Sequence, residues 1–321
     1  MTYRVGLVGA GSMGRNHARV ISESAHAELA VVVDPVPESG RRAAAHYETR
    51  WAADLEGLGQ VDGVVVAAST EHHYDIAVEV IGAGIPLLIE KPVAPSLSQT
   101  EAILRLAEAS GVPVMCGFLE RYNPAFITAQ RMIEEPVYAR AVRHSPYAPR
   151  IRTGVGWDLL VHDVDLLAQL FGGSDPESVA VQLGQVHPDS VEGAEDVAEV
   201  ILGFGKGLIA SASASRLGQR KVRTLLVQTL GDMVEVDLLR RGVTLYRHTT
   251  VSEDRPGGAG FRQMTEMEVP EITGREPLAA QLDRFLGLID GTVDVDVERS
   301  SILPAHRIVD RALSMSRSTH N

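Results

Sequence analysis

Three groups of residues in this 321-residue chain have the types and spacing to do chemistry. The first is Gly9-Ala10-Gly11-Ser12-Met13-Gly14. Glycines at that spacing allow a tight turn, a close approach of backbone to pyrophosphate, and packing of a helix on a strand, with the anion at the helix N-terminus. Asp34 follows Gly14 by 20 residues. A carboxylate there accepts hydrogen bonds from ribose hydroxyls and repels a 2′-phosphate. The pair points to a dinucleotide, NAD rather than NADP. Arg41 and Arg42 read as an exposed helix face.

The second group is Glu90-Lys91-Pro92. The chain holds three lysines (Lys91, Lys206, Lys221) against 27 arginines. A lysine at the mouth of a strand offers a compact, tunable charge, or it is an exposed loop lysine. The third group is Asp158-Leu159-Leu160-Val161-His162. Residues four apart on a helix share a face, and an acid beside a histidine can fix its tautomer and ready it for proton transfer. Helix capping by Asp158 beside a core histidine is the other reading. A metal pair is the third, but His72-His73 and Asp163/Asp165 offer no His-Glu-x-x-His pattern, so no metal is expected.

The elements that must position these groups can be read from hydrophobic period. Continuous apolar runs at Tyr3–Val8, Leu29–Val33, Gly63–Ala68, Pro86–Ile89 and Val112–Gly117 alternate with helical spacing at 12–24, 38–47, 74–83 and 98–110. Uninterrupted apolar strands are covered on both faces, and strand–helix repetition predicts a doubly wound parallel sheet. Gly9, Asp34, Ser69-Thr70 and Lys91 then all fall at carboxyl ends of successive strands, the edge where open α/β sheets take ligands.

Beyond residue 119 the pattern changes. Helices are expected at 124–133 and 157–170, and strands at 137–144, 179–186, 194–204, 207–215, 222–229 and 233–236. The short turns between most of these strands make them antiparallel. Residues 254–260 read as a flexible loop, and two helices close the chain at 277–289 and 301–316. The division expected is a dinucleotide-binding domain over 1–119 and a second α/β domain over 120–321.

Composition excludes several classes of function. The net charge of −12 argues against nucleic acid or an anionic membrane as partner. No apolar run reaches about 18 residues, the length of a membrane-spanning helix. No signal peptide is apparent at Met1-Thr2-Tyr3-Arg4, and Cys116 is the single cysteine, so a reducing cytoplasm is expected. Residues 121–152 hold six arginines against two glutamates, the one basic stretch in an acidic chain. It suits an anionic small molecule or a solvated face.

Taken together, the Gly-x-Gly-x-x-Gly turn, Glu-Lys-Pro at 90–92 and Asp-x-x-x-His at 158–162 resemble the glucose–fructose oxidoreductase/inositol dehydrogenase (Gfo/Idh/MocA) family over essentially the whole chain. The resemblance implies a Rossmann domain followed by an α/β domain with an open, mainly antiparallel sheet that often forms an oligomer interface, hence a homodimer or homotetramer. It implies an NAD-dependent oxidoreductase in which Lys91, Asp158 and His162 are catalytic. His162 would remove a hydroxyl proton while hydride passes to nicotinamide. Lys91 would stabilise charge on the same oxygen, Asp158 would orient the substrate or assist His162, and Trp157 would lie near nicotinamide or sugar. The cofactor would be held by Gly9, Gly11, Ser12, Met13, Gly14, Asp34, Ser69, Thr70, His73, Glu90 and Lys91. Glu71 and His72 depart from the family pattern.

Glu120-Arg121-Tyr122-Asn123-Pro124, Ala148-Pro149-Arg150-Ile151 and the 158–166 segment are similar to the branch that includes UDP-N-acetylglucosamine 3-dehydrogenases. That resemblance implies a nucleotide-sugar substrate, with Arg121, Arg150 and Arg152 for a diphosphate or carboxylate, Tyr147 for stacking, and Tyr122 and Asn123 beside them. An inositol or cyclitol dehydrogenase is the near rival. A non-catalytic NAD-binding regulator on the same scaffold is the rival of another class.

Overall fold

A computed structural model describes residues 1–149, 151–255 and 258–318. They form two compact units: Met1–Tyr122 with Arg275–Asp310, and Asn123–Gly274 with the chain from Arg311.

In the first unit β1 (Tyr3–Val8), α1 (Ser12–Glu23), β2 (Ala27–Val33), α2 (Pro37–His46), β3 (Arg50–Ala52), β4 (Gly63–Val66), α3 (Thr70–Gly82), β5 (Leu87–Ile89), α4 (Leu97–Ser110) and β6 (Val114–Cys116) follow one another. All six strands are parallel, in the order β3-β2-β1-β4-β5-β6. The order reverses between β1 and β4, the kind of switch point where such sheets take ligands. Every residue of β4 and β5 is buried, which is why these strands read as unbroken apolar runs. Period does not reveal β3, whose three residues are half-buried or exposed.

The first unit also contains α7 (Pro277–Ile289), α8 (Val295–Ser300) and the start of α9 (Leu303–Ser318). The second unit is therefore not the unbroken 120–321 that the sequence suggests. The cause is apolar burial. Leu278, Leu282, Phe285 and Leu286 recur on one face of α7 and share a core with Leu7, Ile21, Val65 and Leu88. Burying each such side chain contributes roughly 1.5–3 kcal/mol.

The second unit starts with α5 (Pro124–Met132) and β7 (Tyr138–His144). A π turn at Gly156–Leu160 then runs on into α6 (Val161–Leu170). Seven strands follow: β8 (Ser178–Gly184), β9 (Val197–Gly203), β10 (Ile209–Ser215), β11 (Val222–Gln228), β12 (Asp232–Asp237), β13 (Gly242–Arg255) and β14 (Gly258–Glu268). The sheet order is β14-β13-β12-β11-β7-β10-β9-β8, antiparallel except between β7 and β10. That one parallel pair comes from the crossover through α6, which packs on both strands.

One sheet face is buried through Ala139, Ala141, Ala210, Ala212, Leu225 and Val234, while Ile201 and Ile209 on the other are 56% and 45% exposed. The flexible loop expected at 254–260 is largely a hairpin. β13 and β14 pair residue for residue from Leu245↔Glu268 to Arg255↔Gly258, and Pro256 and Gly257 lie outside the described residues. Residues 247–251 of β13 are all exposed and carry no buried alternation, so hydrophobic period could not mark the strand.

Candidate active site

In the first unit the glycine turn joins β1 to α1. Gly9 has φ +97°, and a Cβ there would lie 2.6 Å from Ala68 N. A Cβ on Gly14 would lie 1.9 Å from Gly9 O, so that glycine is what lets the helix close on the turn. Nothing lies within 4 Å of where a Cβ on Gly11 would stand. No side chain caps α1, so the N–H groups of its first turn suit an anion. Ser12 is exposed, whereas Met13 packs against the core.

Asp34 ends β2. Its carboxylate accepts from Ala10 N at 2.7 Å and from Val36 N at 2.8 Å, which ties the second strand end to the glycine turn. A cleft of about 720 Å³ opens here, lined by Gly9, Gly11, Asp34, Ser69 and His72 among others. Asp54, Glu56, Asp75 and Glu79 also line it, and no lysine or arginine does. Five carboxylates around one cleft admit ribose hydroxyls and oppose a 2′-phosphate. Arg41 lies over the Trp51 ring at 4.7 Å, and Arg42 pairs with Glu38. Ser69 and Thr70 start α3. These residues fit a dinucleotide.

Lys91 stands half-buried just past β5. The neighbours assigned to the cofactor from sequence are turned inward. Glu90 is 7% exposed, and its Oε1 lies 2.7 Å from His17 Nε2. His73 is 1% exposed, with Nδ1 2.9 Å from Pro92 O and Nε2 3.0 Å from Ala68 O. Burial pushes the His73 pKa down, although the carbonyls oppose the shift. Both side chains act on the protein's own backbone and side chains.

Of the residues assigned to substrate, Arg121 is engaged within the first unit. It donates to Ser301 Oγ at 2.7 Å and Ser301 O at 2.8 Å, and lies over Phe118 at 4.7 Å. Tyr122 packs on the core of that unit. In the second unit Asn123 caps α5, accepting from Ala125 N and donating to Leu238 O. Tyr147 stacks flat on His187 at 3.6 Å and donates to Asp189 O at 2.7 Å. Arg152 is exposed. Arg150 lies outside the described residues.

Asp158 lies in the π turn, and His162 in the first turn of α6; both are half-buried, as is Trp157. The i→i+5 turn breaks the regular helix that the sequence suggests over 157–170, and π turns recur at functional sites. Glu195 holds this start of the helix. Its Oε1 accepts from Gly156 N at 2.7 Å, and its carbonyl accepts from Val155 N at 3.0 Å.

Asp196, fully buried, accepts from Val186 N, His187 N and Ser190 Oγ. Burial alone would push this carboxyl up, but those hydrogen bonds and Arg216 hold it below its ordinary value. The sequence reading gives Glu195 and Asp196 no role, because an acidic pair at the start of the strand expected over 194–204 looks like any solvated strand end; β9 itself begins at Val197. Among the described residues no group of three His, Cys, Asp or Glu is placed to hold a metal, and no helix is long and apolar enough to cross a membrane.

Two family models match the chain. "Oxidoreductase family, NAD-binding Rossmann fold" matches residues 3–118, and "GFO/IDH/MocA C-terminal domain" matches 128–234. The chain is 28% identical over 289 residues to UDP-N-acetylglucosamine 3-dehydrogenase of Acidithiobacillus ferrooxidans, covering 89% of this chain and 88% of that protein. It is 26% identical over 331 residues to inositol 2-dehydrogenase of Rhizobium meliloti, covering 98% and 96%. A solved structure of the Acidithiobacillus enzyme superposes with a TM-score of 0.86 at 25% identity, covering 98% of this chain and 97% of that one.

Proposed function

The chain belongs to the Gfo/Idh/MocA family of NAD-binding oxidoreductases, and from that premise we propose that it interconverts a ring CH–OH and a ketone, at C3 of a sugar or nucleotide sugar. The observation that carries the reading is the position of Lys91. It stands at the carboxyl end of β5, in the same unit and on the same sheet edge as the glycine turn and Asp34. NAD supplies the hydride acceptor or donor.

The chain's own residues manage the proton and the charge. Lys91 donates to the reacting oxygen and stabilises its negative charge as the hydroxyl proton leaves. His162 takes that proton in oxidation and returns it in ketone reduction. Asp158 orients the substrate or steadies His162, and Trp157 lines the sugar side. Gly9, Gly11, Ser12, Gly14, Asp34, Ser69 and Thr70 hold the dinucleotide.

The likeness to the Acidithiobacillus enzyme supports a nucleotide sugar, with the exposed Arg152 free of the structural duties that occupy Arg121. The full-length match to inositol 2-dehydrogenase supports a cyclitol as the second reading. The exposed Ile201 and Ile209 on the open sheet face suit a homodimer or homotetramer. A single buried cysteine suits the cytoplasm.

Thermal shift with NAD plus UDP-, TDP- and GDP-sugars, free sugars or inositols, followed by turnover at 340 nm, tests the assignment. A ligand at about 100 times its Kd stabilises by about 2.7 kcal/mol. Turnover with an inositol and none with any sugar would replace the first reading by the second.

A further inference from the structure

Three histidines are fully buried among the described residues: His17, His73 and His306, at 3%, 1% and 0% exposure. They come from three different helices, α1, α3 and α9. All three bond to the same four consecutive residues, 90–93. His17 Nε2 meets the Glu90 carboxylate at 2.7 Å. The other Glu90 oxygen accepts from Lys91 N at 3.3 Å. His73 Nδ1 lies 2.9 Å from Pro92 O. His306 Nε2 accepts from Val93 N at 3.1 Å, while its Nδ1 donates to Ile302 O at 2.9 Å, which fixes the tautomer.

Burying an imidazole costs free energy unless both nitrogens find partners. A leucine would fill each of these places with no such requirement. What imidazole adds is a rigid ring that holds a polar group at a set distance, the Glu90 carboxylate for His17 and backbone groups for His73 and His306. Three such rings on four residues leave little freedom for the backbone that carries Lys91.

We propose that His17, His73 and His306 are positioning residues that clasp segment 90–93 and thereby set the place and reactivity of the Lys91 amine. The proposal rests on the reading of Lys91 as the group that meets the reacting oxygen. His17 adds a second link, because it sits on the helix that the glycine turn opens. The clasp therefore joins the lysine loop to the dinucleotide turn inside one unit.

The test uses the full chain without cofactor and reads competitive acetylation of lysines by mass spectrometry. Lys206 and Lys221 are exposed and act as internal standards. In His306→Leu and His17→Leu the Lys91 acetylation rate is expected to change severalfold while the two standards keep theirs. In His17→Gln, whose amide still donates to Glu90, Lys91 is expected to keep its rate. In turnover the leucine variants are expected to lose about 10²-fold in kcat, the size of a roughly 1 Å misplacement, with Kd for NAD near wild type. On a Lys91→Ala background they are expected to cost nothing further, since residues acting through one group are not additive.

Unchanged Lys91 acetylation in both leucine variants, or losses that multiply with Lys91→Ala, would overturn the clasp. Should His306→Leu not fold, the His17→Leu and His17→Gln pair decides alone. Wild-type turnover by Lys91→Ala would overturn the catalytic reading instead, and the acetylation result would stand apart from it.

Discussion

Arg143 on β7 and Asp163 on α6 form an ion pair with both side chains 2% exposed, Arg143 Nε lying 3.1 and 3.0 Å from the two carboxylate oxygens and a terminal guanidinium nitrogen 3.0 Å from Oδ1. The pair fixes the helix that carries His162 to the middle of the sheet. Removing one partner takes three hydrogen bonds from a buried charged group, so Asp163→Leu is expected to cost about 3–5 kcal/mol in urea unfolding. Combining it with Arg143→Met should recover much of the loss. A single substitution that leaves the midpoint unchanged would show that the pair does not anchor the helix.

Asp34 carries the choice of cofactor. Asp34→Ser is expected to weaken NAD and to narrow its preference over NADP, read as the two Kd values. The narrowing should be partial, because Asp54, Glu56, Asp75 and Glu79 still line the cleft. An unchanged ratio would remove Asp34 from this role.

Gly14→Ala places a methyl group 1.9 Å from Gly9 O. The turn must open to accommodate it, at a cost of about 1–3 kcal/mol. NAD affinity should fall with stability, measured by thermal shift with and without cofactor. Full NAD affinity in a folded variant would mean that α1 need not close on the turn.

His162→Ala is expected to lower kcat by roughly 10²–10⁴ while the Kd for NAD stays close to wild type. A large loss of cofactor affinity would move His162 from proton transfer to cofactor binding.

Acid should destabilise the first unit through His306. Burial, with Arg121 nearby, lowers its pKa from 6.5 to about 4. Between these values the unfolded state binds more protons, so stability falls as pH drops from 6.5 towards 4, by on the order of 3 kcal/mol in full. His73 shifts in the same direction. His306→Gln should flatten this slope in a series of melts across the window. A slope equal to wild type would exclude His306 as its source.

Much of the first unit was legible because its strands are buried on both faces and its glycines mark the turn. Gly9, Gly14, Asp34 and Lys91 fall where the strand ends put them. The interior of the site was not legible. His17 and Glu90 are 73 residues apart, and no local pattern says that they meet. Glu90 and His73 stood out in sequence beside chemistry, but burial turns them towards the protein's own groups. Arg121 looked like an anion binder until Ser301, 180 residues on, took its guanidinium. In the second unit β13 lacks buried alternation beyond Tyr246, and the π turn before His162 has no signature in a period of 3.6.

The return of α7 to the first unit ties that unit to the order of synthesis. On a ribosome the six strands of its sheet are made well before Leu278, Leu282, Phe285 and Leu286 emerge. Part of one side of the nascent sheet, beside α1, waits uncovered while residues 123–274 are made, on the order of ten seconds or more at ordinary elongation rates. A polypeptide stalled before residue 277 would carry the glycine turn, Asp34 and Lys91, yet lack the helix that completes their core. The half of the protein that binds the dinucleotide is thus encoded first and completed only after most of the other half.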